Sequence, residues 1–147
     1  ALDEGQLLGV LVQGLAQARD VAVAEDPHRG RDQPAAVAVR DAFPVSRGHT
    51  LVLPLRHVGS FFELEPAERD AIFELLDVAR RALDEALHPD GYNIGINDGP
   101  AAGQTVLHLH VHLIPRYKGD QPDPRGGVRW IFPERADYWS AREGKAN

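Results

Sequence analysis

The stretch TVLHLHVHLIPR, residues 105–116, decides the fold, because its pattern makes physical sense only if the chain is extended there. Across residues 106–114, His108, His110 and His112 fall on one parity, while Leu107, Leu109, Val111 and Leu113 fall on the other. Side chains alternate across a strand, so same-side neighbours lie roughly 6.5–7 Å apart. On a helix the three histidines would scatter around the axis and the leucines would form no stripe. The segment is therefore expected to be a strand with a greasy face and an imidazole-bearing face, ending at Pro115.

Outward from it, GYNIGIN at 91–97 reads as another strand, joined to the histidines by the glycine-rich NDGPAAGQ. Before that, ELEPAERDAIFELLDVARRALDEALHPDG is the clearest helix. Pro66 suits its first position and Glu68 the positive end of its dipole, and Ile72, Leu76, Ala79, Leu83 and Leu87 form one apolar stripe. Asp77 and Arg81 can pair across one turn, Pro89 and Gly91 end the run, and the helix's charges are expected on a solvated outer face. Further upstream AAVAVR (35–40) and TLVLPL (50–55) read as an antiparallel hairpin, joined by a connection in which Pro44 and Gly48 mark turning points. Residues 26–34 are polar and turn-rich, hence a loop, and Leu8, Leu11, Leu15 and Ala18 give residues 1–24 a helical spacing that Gly9 and Gly14 weaken. Strands, one long helix, then more strands imply an α+β domain: an antiparallel sheet of about five strands with the helix laid over it. A single domain is expected over 1–147, with an N-terminal extension at 1–34, a core at 35–117 and a tail at 118–147.

Composition narrows the function. There is no cysteine among the 147 residues, so a metal site would have to use nitrogen and oxygen. The formal net charge of −6 argues against holding a nucleic-acid polymer, although a single nucleotide needs only local donors. LLGVLVQGLAQA lacks a basic flank and is too short to span a bilayer, so neither signal peptide nor membrane span is expected and the cytoplasm is the default compartment.

Three histidines in register admit three readings: exposed histidines on a half-wet strand, a zinc site completed by a further ligand such as His49, or nucleophilic catalysis at phosphorus. The surrounding GPAAGQTVLHLHVHLIPR favours the last, since Gly99 and Gly103 let backbone approach a ligand and Gln104 and Thr105 bring uncharged polar groups to phosphate oxygens. The pattern of three alternating histidines preceded by GQTV, with PVSRGHTLVLPLRHV upstream, resembles the histidine-triad family of nucleotide hydrolases and transferases over about residues 35–117. NDGPAAGQTV is most similar to the fragile-histidine-triad branch, which cleaves dinucleoside polyphosphates.

The resemblance implies a HIT-like fold joined across a homodimer, and roles for particular positions. His110 would be the nucleophile, forming a nucleotidyl-histidine intermediate. His112 would bind phosphate and assist the leaving oxygen, and His108 would orient the nucleophile, partly through its carbonyl. His49 would complete the pocket and help move protons, Asp41 would bind ribose, and Asn97, Gln104 and Thr105 would hold phosphates and leaving group. No metal or other cofactor is implied on the protein, with Mg2+ accompanying a polyphosphate substrate. Some members bind zinc through an N-terminal cysteine pair, which this sequence lacks. The tail carries Arg125, Arg129, Trp130 and Trp139, which read either as contacts to substrate or a second subunit or, for the tryptophans, as a cover for the sheet edge. The implied activity is a ping-pong nucleotidyl hydrolase. Rivals are a phosphoramidase or nucleotidyltransferase of the same family, a nucleotide sensor with little turnover, and a metal-binding module.

Overall fold

The computed structural model describes residues 22–25 and 34–140 of the chain. Five strands, β1 (Ala22–Glu25), β2 (Pro34–Arg40), β3 (Thr50–Pro54), β4 (Gly91–Ile96) and β5 (Val111–Arg116), form one antiparallel sheet in the order β1-β2-β3-β5-β4. A long helix, α1 (Pro66–Leu87), lies between β3 and β4 in sequence, and a short α2 (Pro133–Ala136) follows a 3-10 turn at Gly127–Ile131 in the tail. This is the α+β arrangement expected, with the β2–β3 hairpin paired Val37↔Leu53 and Val39↔Leu51.

The helix covers one sheet face because both surfaces are apolar there. Ile72, Leu75, Leu76, Ala79 and Leu83 of α1 share a core with Ala36 and Ala38 of β2, Val52 of β3, and Leu109, Val111 and Leu113. Fully burying such side chains contributes roughly 1.5–3 kcal/mol each, so this face fixes which side of β5 points away from solvent. Leu87, at the end of the stripe, is partly buried against the same core. Asp77 and Arg81 pair at 3.2 Å, as their spacing implied.

Four expectations need correction. The helical spacing of residues 1–24 does not extend to 22–24, which pair with β2 (Ala22↔Ala38, Ala24↔Ala36), since an unpaired β2 edge leaves backbone donors and acceptors open to a neighbouring segment. The rest of that proposed helix, and most of the 26–34 loop, lie outside the described residues. The histidine strand begins at Val111 rather than near 106: residues 106–108 bend, and Leu107 is exposed. Here Leu109 N–H donates to Val58 C=O at 2.7 Å, a partner outside the sheet ladder, which diverts the backbone from strand pairing until Val111. At the other end β5 runs through Pro115 to Arg116; β3 pairs no further than Leu113, so Pro115 lies where β5 has a partner only in β4.

The last correction concerns Glu68, which is buried. Its carboxylate accepts from Arg56 Nε at 2.8 Å and Nη2 at 2.7 Å and from the Glu65 N–H at 2.8 Å. That arrangement caps the first turn of α1 and ties the helix to the segment following β3. The helix ends at His88, the only non-glycine with positive φ among the described residues (φ 50°), whose N–H donates to Asp84 C=O.

Candidate active site

The sheet face away from α1 carries the site. On β5 Val111, Leu113 and Pro115 are buried and His112, Ile114 and Arg116 are half-buried, so His112 leaves the core side by parity alone. Gly95 of β4 stands directly opposite His112, and a Cβ built on it would meet nothing within 4 Å. That missing side chain leaves the floor beside the imidazole open. A cavity of about 910 Å³ follows, lined by His49, His112, Gly95, Asn97 and the 101–103 turn, with Val128, Ile131 and Phe132 as an apolar wall.

Three rings form a contiguous set. His110 packs on His112 with centroids 4.9 Å apart, and His112 on His49 at 5.2 Å. His110 Nδ1 lies 2.8 Å from the His108 carbonyl oxygen. A carbonyl only accepts, so Nδ1 carries the proton and Nε2 presents its lone pair. That Nε2 has no hydrogen bond among the described residues and is not buried. His49 Nε2 and His112 Nδ1 are 3.0 Å apart, so one donates to the other. The Val45 N–H donates to His49 Nδ1 at 3.3 Å, which leaves the His49 proton on Nε2, directs it to His112 Nδ1, and puts the His112 proton on its own outward Nε2. Asp41 Oδ2 is also 3.3 Å from His49 Nδ1 and would favour the opposite tautomer or a protonated ring. The main-chain donor is fixed in place and makes a formed hydrogen bond, so the first chain describes the neutral site. The product is a lone pair on His110 beside an N–H donor on His112.

Burial favours the neutral form of His49, His108 and His112. Loss of solvent lowers the pKa of His49 against an opposing pull from Asp41, lowers that of His108 against its bond to Pro54 C=O, and brings His112 down to about 4, helped by His110 and His49. A folded-state pKa below the unfolded one means that acid protonates the unfolded chain first, so the stabilisation is full above about 6.5 and erodes as pH falls through that value towards 4. The carboxylates held low, such as Asp120 at about 2, lose their contribution only below the usual carboxylate range near 3.8. The thermal midpoint is therefore expected to drop steadily between pH 6.5 and 4, and the drop should shrink in His112→Gln. A midpoint flat across that window would contradict burial of neutral imidazoles.

The remaining sequence candidates separate. Asp41 sits against His49, its Oδ1 accepting from the Phe43 N–H at 2.8 Å. Asn97 lines the cavity, and Thr105 is exposed outside that lining. Gln104 is buried with its amide spent on the backbone: Nε2 donates to Gly59 C=O at 2.7 Å and Oε1 accepts from Gly99 N–H at 2.8 Å, which pins the glycine-rich turn. The His108 ring is also turned away, buried with Nε2 2.8 Å from Pro54 C=O and its edge on His57, so only its carbonyl reaches the set. The expectation that all three triad rings open to one cleft thus fails for His108, because the bend at 106–108 takes it off the strand's parity. Asp41, His49 and His112 each offer a metal-ligating atom within 4.8 Å of one another, but His49 and His112 are already bonded to each other. A tetrahedral ion with nitrogen donors at about 2.0–2.1 Å would have to open that bond, and the set as built is a hydrogen-bonded chain. Sequence reasoning missed Gly95 and the Val128, Ile131 and Phe132 wall. Only strand register could have placed Gly95 against His112.

Comparison with known proteins bears on this geometry. The HIT domain profile matches residues 27–119, which include the hairpin, the helix and the histidine strand. The chain belongs to the HIT family. Among HIT structures, a Zn-bound histidine triad family protein from Mycobacterium smegmatis is 33% identical with a TM-score of 0.62, covering 92% of this chain and 96% of that one. A bis(5'-adenosyl)-triphosphatase of Saccharomyces cerevisiae is 42% identical over 97 residues, 65% of this chain and 44% of its own. A bis(5'-nucleosyl)-tetraphosphatase [asymmetrical] of Schizosaccharomyces pombe is 42% identical over 77 residues, 52% of this chain and 42% of its own. An uncharacterised HIT-like protein of Mycoplasma genitalium is 41% identical over 83 residues, 56% of this chain and 59% of its own. The chain thus spans about four to six tenths of the length of these curated relatives. Among the described residues no helix is long and apolar enough to cross a membrane.

Proposed function

We propose that the protein is a nucleotidyl hydrolase that cleaves dinucleoside polyphosphates through a nucleotidyl-His110 intermediate. The observation that carries the reading is the His110 Nδ1 contact to the His108 carbonyl at 2.8 Å, which aims a neutral nitrogen lone pair outward beside His112. Attack by Nε2 on the α-phosphorus forms the N–P bond, and the P–O bond to the leaving nucleotide breaks with its electron pair on oxygen. The His112 Nε2–H donates a hydrogen bond to that oxygen as charge develops. The positive charge that develops on the His110 ring is stabilised where its Nδ1–H meets the carbonyl. Water then attacks the same phosphorus, the N–P bond breaks, and the nucleoside monophosphate leaves with His110 regenerated.

His49 holds the His112 tautomer that makes this donor available. Family resemblance assigns Asp41 to the ribose and Thr105 to the phosphates and leaving group; Asn97, which lines the cavity, is assigned to the phosphates, while Gln104 acts by pinning the turn. Magnesium would arrive with the polyphosphate and is not needed on the protein. The substrate class is supported by the activities for which the two yeast relatives are named, and dimerisation by family resemblance. A nucleoside phosphoramidase or a transferase to inorganic phosphate would share the first half-reaction. Product analysis on dinucleotide and phosphoramidate substrates, with and without phosphate, separates them. Release of nucleoside monophosphate from dinucleotides is the expected result, and turnover of phosphoramidates alone would overturn the assignment.

A further inference from the structure

The tail builds a second cavity that the proposed chemistry does not use. It measures about 820 Å³ and is lined by Asn93, Ile114, Arg116, Arg125, Trp130 and Trp139. It shares Val45, Asn93, Ile114 and Gly127 with the histidine cavity, so the two adjoin along one sheet face. His112, Ile114 and Arg116 step along that face of β5, and His112 to Arg116 spans about 13 Å at strand rise. The indoles converge on one turn: a Cβ at Gly126 would lie 3.3 Å from Trp139 Cζ3 and 3.6 Å from Trp130 Nε1. Trp130 Nε1 donates to Arg125 C=O at 2.8 Å, and the Arg125 guanidinium lies 4.5 Å from the Trp139 ring centre.

We infer that this cavity receives the nucleoside of the leaving nucleotide, with Trp130 as the stacking surface for its base. This rests on the proposed function and names the part of the molecule that distinguishes two nucleosides from one. The chemistry fits an uncharged nucleoside better than a phosphate. Asp123, Asp137 and Ser140 also line the cavity, and carboxylates repel phosphate but accept hydrogen bonds from ribose hydroxyls. Trp130 is 45% exposed, leaving ring surface for a base, whereas one face of Trp139 is taken by Arg125. Phosphates would lie between the cavities, across Ile114 and towards Arg116, while the first nucleoside meets the apolar wall of Val128, Ile131 and Phe132. Sizes agree, since each cavity falls in the range of about 300–1,000 Å³ used for small ligands.

Trp130 and Trp139 are the chain's two tryptophans, so indole fluorescence reads this cavity alone. Diadenosine triphosphate titrated into His110→Ala protein should quench it saturably, whereas adenosine monophosphate, confined to the histidine side, should bind by calorimetry without quenching. Trp130→Ala should weaken the dinucleotide at least about fivefold and change monophosphate affinity less than about twofold, with Trp130→Phe restoring most of the loss. Dinucleotide binding without quenching overturns the inference while leaving the function intact. Full quenching by the monophosphate, or equal loss of both affinities in Trp130→Ala, overturns it as well. Binding of neither ligand overturns it together with the function on which it rests.

Discussion

His110→Ala should abolish turnover, by at least about 10³-fold in kcat, while leaving nucleotide affinity nearly unchanged. The ring is half-exposed and packs on His112 by its edge, so its removal opens no core cavity. Its loss removes the lone pair that would attack phosphorus but leaves the His49–His112 pair, the glycine floor and the apolar wall in place. Parallel measurement of product release and of binding by calorimetry checks this. A loss of affinity matching the loss of rate would make His110 a binding residue, and residual turnover within tenfold of the native rate would remove it from the chemistry. A protein that served only to sense nucleotides would tolerate the substitution in its downstream response.

Gly48→Ala should be among the most destabilising single-methyl additions in the chain. Gly48 has φ +89°, a conformation that L side chains rarely adopt, and a Cβ there would sit 2.7 Å from Leu87 Cδ1, 2.8 Å from Leu83 Cδ2 and 3.3 Å from Pro115 Cγ. Strain at positive φ and overpacking each cost about 1–3 kcal/mol, so a combined loss of roughly 2–5 kcal/mol is expected. The Leu87 tip can move; Leu83 is fully buried and Pro115 is fixed in β5. Because His49 follows directly, the shift should also disturb the Nε2 contact to His112, so catalysis falls along with stability. Denaturant melts of the two proteins decide it: a change below 0.5 kcal/mol would mean that the turn accommodates a side chain.

Much of this was legible from the residues because strong periodicity leaves few alternatives. The α1 stripe and the parity of Leu109, Val111 and Leu113 fix which sheet face meets the helix, and His112 then points the other way. What could not be read was local backbone competition. The bend at 106–108 depends on Val58 C=O, fifty-one positions away from its donor Leu109, and it turns the His108 ring into the interior. Gln104 looked like a phosphate ligand by residue type, yet its two amide ends are committed to Gly59 and Gly99, which only the folded path brings together. Glu68 departs from the solvated helix charges because Arg56, twelve positions earlier, folds beside it. The tail gave aromatic residues without a periodic pattern, and its role as a wall follows from packing of the Gly127–Ile131 turn against β4.

The most direct test of the central claim is to trap the intermediate. Native protein mixed briefly with a dinucleotide labelled at the α-phosphorus, quenched without acid and digested with trypsin, should carry label on the peptide spanning residues 82–116. That peptide holds His88, His108, His110 and His112, so fragmentation must place the label, and the account requires it on His110. Label on His112 or elsewhere, or none on His110 during rapid turnover, would contradict the account.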